Sequence, residues 1–237
     1  MLTNNQIKLA NLSMLEFVAA KLGNICNEVV FLGGCTTAIF ITDLGAPDVR
    51  YTLDVDCIVN VISLSQYYEL ENKLQKQGFK KSIANSILCR WNYNEIILDV
   101  MPSEPTILGF GNKWYQSAIQ HAVTHAITPQ INIRVVTAPY FLATKFEAFK
   151  TRGNMDFYAS HDFEDILSVL DGRSKITQEM ISADTLLKQY LQKSFSEILK
   201  IRSFHDALPG HLAPYGDLAE NRRKFLLEKI DRFIHSN

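Results

Sequence analysis

Residues 4–22 place apolar side chains at helical intervals: Ile7, Leu9, Leu12, Leu15, Val18, Ala19 and Leu22. Gly23 and Asn24 supply a stop. The apolar run 28–32 reads as a short strand, Gly33-Gly34 follow at once, and 35–42 reads as a helix. A loop, 43–49, leads to a second strand, 51–61. The stretch 63–77 predicts a helix capped by Ser63, with Lys73 and Lys76 near its end and Gly78 closing it. Runs 79–83, 86–91 and 95–101 predict short strands joined by tight turns, with 92–94 the clearest hairpin signal. A Pro/Gly loop, 102–111, a short helix, 114–121, an ambiguous stretch, 122–128, and a strand, 131–136, complete this half. From Pro139 onward the pattern is helical. It predicts an amphipathic helix over 140–152, a loop over 153–160, and a helix over 162–170 ended by Asp171-Gly172. One or two helices over 177–201, a Pro/Gly loop over 204–216 and a last helix over 217–234 follow. The fold expected is α+β: a mixed sheet flanked by helices, then an all-helical part. The change of pattern near 133–139 sets the expected domains at 1–136 and 137–237.

One strand does not fit its own pattern. In RYTLDVDCIVN, Asp54 and Asp56 stand one residue apart in an apolar run. The two-residue period of a strand sends both carboxylates to one face, with Leu53, Val55, Cys57 and Val59 on the other, the expected core face. Aspartate is depleted in strands, and an unpaired buried carboxylate costs several kcal/mol or shifts its pKa. A third aspartate, Asp99, lies in another apolar run, where Ile97, Asp99 and Met101 share a face. If the two strands are neighbours, Asp99 converges on Asp54 and Asp56. Such a set suits two Mg²⁺ ions, which bind carboxylate and phosphate oxygens together. Two metal ions ~4 Å apart activate an attacking hydroxyl and stabilise the leaving group. The Gly33-Gly34 turn, between a strand and a helix start, lets backbone approach a phosphate closely, although a Gly-Gly after a strand is by itself more often a simple turn.

Composition narrows the picture further. With 237 residues, 47% of them hydrophobic, the chain has room for a large domain or a core domain with a smaller helical one. A formal net charge of -1 does not advertise a nucleic-acid binder, although a local basic surface is compatible with it. Cys26, Cys35, Cys57 and Cys89 are scattered, without a CxxC pair, and read as reduced thiols of a cytoplasmic protein. The start, MLTNNQIKLANLS, lacks the basic and apolar regions of a signal peptide. No run approaches the ~20 apolar residues of a membrane span. His121 and His125 have zinc-ligand spacing for one helix but no third ligand nearby. Arg222, Arg223 and Lys224 read as a solvated helix face rather than a nucleic-acid patch.

Gly33-Gly34, a helix, and then Arg50-x-Thr52-x-Asp54-Val55-Asp56 resemble the signature of the DNA-polymerase-β-like nucleotidyltransferase superfamily, with Asp99 in ILDVMPS as its third carboxylate. Within it the sequence is most similar to the AbiEii-like nucleotidyltransferase toxins of toxin–antitoxin pairs. Lys145, Ala148 and Arg152 match those proteins' Lys-x-x-Ala-x-x-x-Arg helix, and Asp162 and Asp165 match their Asp-x-x-Asp-Leu/Ile. The likeness covers roughly residues 29–170. It departs from the compact superfamily members in the longer gap from Gly34 to Asp54, and in Phe149 and Lys150 within the helix motif.

The resemblance implies Mg²⁺-dependent transfer of a nucleoside monophosphate from an NTP to an acceptor hydroxyl, in a cleft closed by the helical domain. Asp54, Asp56 and Asp99 would hold the metals. Gly33, Gly34 and Thr52 would contact the triphosphate, and Arg50 a carboxylate or phosphate. Lys145 would hold a phosphate, and Asp162 would orient Lys145 or contact the nucleotide. The implied acceptor is RNA, a tRNA 3′ end, in a toxin-like role with a cognate antitoxin. Lys73, Lys76, Lys80, Lys81 and Arg90 are candidates for a phosphate-binding rim. Against these stand plainer readings: Lys145 and Arg152 as the solvated face of a helix, Asp162 as an N-cap and Asp165 as a first-turn charge. Other functions open to the sequence are transfer to a small molecule of the aminoglycoside kind, transfer to a protein hydroxyl, and a non-catalytic nucleotide-binding module.

Overall fold

The structure is a computed structural model and describes residues 6–82 and 87–236. The chain is α+β and forms two compact units. One takes the described residues up to Ala38 together with Arg50–Thr137; the other takes Ile39–Val49 and Ala138–Asn237 as far as described.

The first unit opens with α1 (Gln6–Leu22), which buries Leu15, Val18, Ala19 and Leu22, the three- and four-residue spacing of one helix face. The first two residues of the predicted helix, 4 and 5, lie outside the described residues. Strand β1 (Val29–Leu32) is buried throughout. A tight turn over Gly34–Thr36 and a short α2 (Thr37–Phe40) follow, where a longer helix over 35–42 was expected. Then come β2 (Asp54–Val59), α3 (Leu64–Lys76), β3 (Lys80–Lys81), β4 (Arg90–Tyr93), β5 (Ile96–Pro102), α4 (Tyr115–Gln120), β6 (Val123–Ala126) and β7 (Asn132–Val135). Among the described residues these strands form one seven-stranded mixed sheet in the order β3, β4, β5, β2, β1, β7, β6. Of the predicted strands 79–83 and 86–91, the ends at 83 and 86 lie outside the described residues.

Strand β2 is central, antiparallel to β1 and parallel to β5. It begins at Asp54 rather than at residue 51, because β1 and β5 offer no backbone partner to 51–53. Leu53, expected in the core, is therefore 67% exposed. Val55, Cys57 and Val59 do face the core. Helix α3 starts where its cap predicts, with Ser63 Oγ accepting from the Gln66 N–H at 3.3 Å. Its Tyr67, Leu70 and Leu74 are buried, and the Tyr67 hydroxyl donates to the Val100 carbonyl of β5. The hairpin between β4 and β5 pairs Tyr93 with Ile96 and turns at Asn94, whose φ of 53° is one asparagine tolerates. His121 lies just past α4 and His125 in β6, so they do not share a helix and the zinc spacing has no meaning.

The second unit is helical: α5 (Ala138–Lys150), α6 (His161–Gly172), α7 (Ile176–Ile181), α8 (Thr185–Ile198), α9 (Arg202–Leu212) and α10 (Ala219–Ile234). Helix α5 is buried on all sides from Ala138 to Phe146, not amphipathic as expected. Phe149, Phe157, Phe163 and Phe204 pack ring against ring with centroids 5.0–6.0 Å apart. The expected loop over 204–216 is instead mostly α9, which buries Phe204, Ala207, Leu208 and Leu212. The segment Ile39–Val49 belongs here through its backbone: the N–H groups of Thr42 and Asp43 both donate to the Gly172 carbonyl at 2.9 Å. No helix among the described residues is long and apolar enough to cross a membrane.

Candidate metal centre

The parallel register of β2 and β5 sets Asp56 directly beside Asp99. With Asp54 two residues back on the same face, each of the three presents a carboxylate oxygen within 4.8 Å of the others. Asp99 is buried while Asp54 and Asp56 are partly open. This is the convergence the sequence made conditional on strand neighbours. Hard oxygen donors, charged and close together, are what a divalent cation of the Mg²⁺ kind takes.

The glycine turn packs directly against this cluster. Gly33 has φ 80°, and a Cβ there would stand 1.9 Å from Asp56 Oδ2. A Cβ on Gly34 would stand 2.2 Å from an Arg50 guanidinium nitrogen. Both positions need glycine for the room it leaves, and Gly33 also for its conformation. The turn is fixed by Thr36, whose N–H and hydroxyl both donate to the Gly33 carbonyl, at 3.1 and 2.8 Å. Arg50 is held in turn by Asn11, fully buried on α1, which donates to the Arg50 carbonyl at 3.0 Å. Thr52 is buried and its hydroxyl donates to Asp54 Oδ1 at 2.8 Å. That bond fixes the Asp54 rotamer and makes Thr52 a carboxylate-orienting group.

Arg90, expected on a basic rim, is part of the centre itself. Its register partner across the hairpin is Asp99. Nε donates to Asp99 Oδ1 at 2.8 Å and Nη2 to Asp99 Oδ2 at 2.6 Å, a two-pronged fork; Nη2 also lies 3.4 Å from Asp54 Oδ2. The bond to Asp99 pushes the Arg90 guanidinium still further above its ordinary pKa. Of the remaining rim candidates, Lys73 pairs with Glu28 at 2.7 Å and Lys81 pairs with Glu71, while Lys76 and Lys80 are exposed. Burial is the main cause that raises the nearby thiols, with the Asp56 and Asp54 charges adding to it at Cys35 and the Asp99 and Asp56 charges at Cys89, which is pushed up to about 12. These thiols are protonated and poor nucleophiles.

The two remaining candidates, Lys145 on α5 and Asp162 on α6, lie in the helical unit and bind each other. The buried Lys145 ammonium donates to Asp162 Oδ1 at 3.0 Å and pairs with Asp165 at 2.6 Å. Arg152 caps Asp162 from outside, with Nε and Nη2 each at 3.0 Å. Burial alone would raise the Asp162 pKa, but Lys145 and Arg152 outweigh it and hold the carboxyl at about 2. Asp162 is not an N-cap: Ser160 caps α6 by accepting from the Phe163 N–H. Asp165 is no solvated first-turn charge either; it is 1% exposed. The phosphate contact that the resemblance implies for Lys145 would require this pair to open. In the same unit Arg222 pairs with Asp43 and is largely buried, so the run 222–224 does not act as a uniform cationic face.

Sequence reasoning missed Asn11, placed Arg90 on a rim rather than in the centre, and placed Asp165 in a motif without its partner Lys145. For Arg90 a signal existed. A hairpin turning at 94–95 makes partners sum to a constant, and Tyr93 opposite Ile96 puts Arg90 opposite Asp99. Asn11 carried no signal, because its partner is 39 residues away. No family model matches the chain, and no curated protein matches it either.

Proposed function

We propose that the chain is a metal-dependent nucleotidyltransferase of the DNA-polymerase-β-like kind, moving a nucleoside monophosphate from an NTP to an acceptor hydroxyl. The observation that carries this is the register of β2 against β5, which gathers Asp54, Asp56 and Asp99 beside a glycine turn too close to Asp56 to admit a side chain. Asp54, Asp56 and Asp99 would hold Mg²⁺, which when bound supplies charge to offset the phosphates and the departing pyrophosphate. The protein's own part is positioning. Thr52 orients Asp54, and the turn at Gly33-Gly34 keeps Asp56 and Arg50 in place. In the reaction the acceptor oxygen bonds to the α-phosphorus, the bond to the β-phosphate oxygen breaks, and pyrophosphate leaves. The acceptor's proton passes to a carboxylate oxygen of the cluster or to solvent. Of acceptors, a tRNA 3′ end in a toxin-like role, restrained by an antitoxin, follows from the likeness of Arg50–Asp56 and of the Lys145–Asp165 stretch to the AbiEii-like proteins.

The test is incubation of the full chain with each α-labelled NTP and Mg²⁺, against total tRNA, aminoglycosides or cell protein in separate arms. We expect label on tRNA, lost with EDTA and reduced about a hundred- to a thousandfold by Asp54→Ala, the scale on which removal of transition-state charge stabilisation is felt. Label in another arm alone would replace the acceptor but keep the reaction. No label in any arm, or undiminished label with Asp54→Ala, refutes the enzyme.

A further inference from the structure

We infer that Arg90 is a resident counter-cation of the carboxylate cluster and that a divalent metal enters by displacing its fork from Asp99. The inference rests on the metal site proposed above and goes beyond it. Three carboxylates stand together, and the Arg90 guanidinium bonds two of them, Asp99 and Asp54. Arg90 takes one bond to each Asp99 oxygen, and the same nitrogen that reaches Asp99 Oδ2 leans toward Asp54 Oδ2. Any metal that uses Asp99 meets Arg90 on both of its oxygens. The arrangement is built into the sheet: Arg90 and Asp99 are register partners on adjacent antiparallel strands, and both side chains are mostly shielded from water. A guanidinium fork matches a carboxylate in plane and spacing, so it holds the cluster in shape without a metal. The consequence is a site that is stable when empty and binds metal weakly, because each binding event must first break the fork. Substrate phosphates, arriving with the metal, offer the released guanidinium a new anionic partner that accepts the same two-pronged bond.

The experiment is titration of the full chain with Mn²⁺ alone, followed by calorimetry and by the loss of the free-ion electron-spin signal. Wild type is compared with Arg90→Gln, Arg90→Lys and Asp54→Asn. Arg90→Gln removes the competitor, and Mn²⁺ should bind at least tenfold more tightly while the metal-free protein melts at a lower temperature. Arg90→Lys keeps the positive charge but cannot fork two oxygens. It should tighten binding severalfold, whereas mere repulsion between cations would leave it at the wild-type value. Should Arg90→Gln fail to fold, Arg90→Lys decides. Wild type that binds Mn²⁺ while both Arg90 variants bind it equally or more weakly overturns the inference and leaves the metal site standing. Binding in none of these proteins, or binding unaffected by Asp54→Asn, overturns the metal site itself, and the inference with it.

Discussion

A lysine as deeply buried as Lys145 is tolerated only because two carboxylates meet its ammonium and an arginine meets one of them in turn. Asp162 is the hinge of that network, bonded to both cations. Its folded pKa is depressed to about 2 from an ordinary 3.8. A depressed carboxylate contributes stability that is present above its unfolded pKa and lost as pH falls through the folded one. The window is therefore from about pH 4 down to about pH 2, and the contribution is on the order of 2 kcal/mol. Asp162→Asn leaves the Lys145 charge half-answered, and we expect a loss of about 2–4 kcal/mol at pH 7, as when one partner of a buried pair is removed. Urea unfolding of the two proteins at a series of pH values checks this. Their difference should narrow steadily below about pH 4. A difference that stays constant down to pH 2.5 would assign the loss to packing rather than to charge.

At the scale of elements, what was legible was local. Ser63 announced the start of α3, the polar residues 92–94 announced a hairpin, and alternation in β2 set its two faces. What was not legible depended on neighbours. The length of β2 is decided by where β1 and β5 run out, and the place of Arg90 by a register that must be counted through the turn. Helix α9 was hidden for another reason: Pro209 and Gly210 read as breakers. Both are exposed, and Phe204, Ala207, Leu208 and Leu212 keep helical spacing beneath them. The proline removes the N–H that the His205 carbonyl would accept from, but on the outer face that carbonyl can turn to water. An interior proline costs a helix roughly 3 kcal/mol relative to alanine, while its rigidity recovers up to about 1 by restricting the unfolded chain. Pro209→Ala should therefore stabilise the protein by about 2–3 kcal/mol, seen as a higher urea midpoint at unchanged slope. A lower midpoint would mean that the local geometry Pro209 sets is required by what α9 packs against.

At the scale of the whole molecule, the second unit is assembled from two separate parts of the chain. The change from strand to helix pattern near 133–139 says nothing about 39–49, because its partners Phe141, Gly172, Arg173 and Arg222 are more than 100 residues further on. Phe40 packs tilted against Phe141 with centroids 4.9 Å apart, and its carbonyl accepts from Arg173 at 3.2 Å. Thr42 and Asp43 share the Gly172 carbonyl, and Asp43 pairs with Arg222. Gly172 is itself fitted to this segment, since a Cβ there would come within 2.9 Å of Ile41. A chain ended after Thr137 would keep every strand of the sheet and the three aspartates but strip 39–49 of all these partners. Phe40, Ile41 and Val49, at most 8% exposed in the full chain, would have to find other cover or meet water. Burial of such side chains is worth roughly 1.5–3 kcal/mol each, so their exposure favours association or cleavage over a quiet loop. We expect limited proteolysis to cut the truncated chain within 39–49 at protease levels that leave this segment intact in the full chain. We also expect gel filtration to find the fragment self-associated. A monodisperse fragment with 39–49 protected would show that this segment can be satisfied without the helices, and that the sheet unit alone is enough to keep it folded.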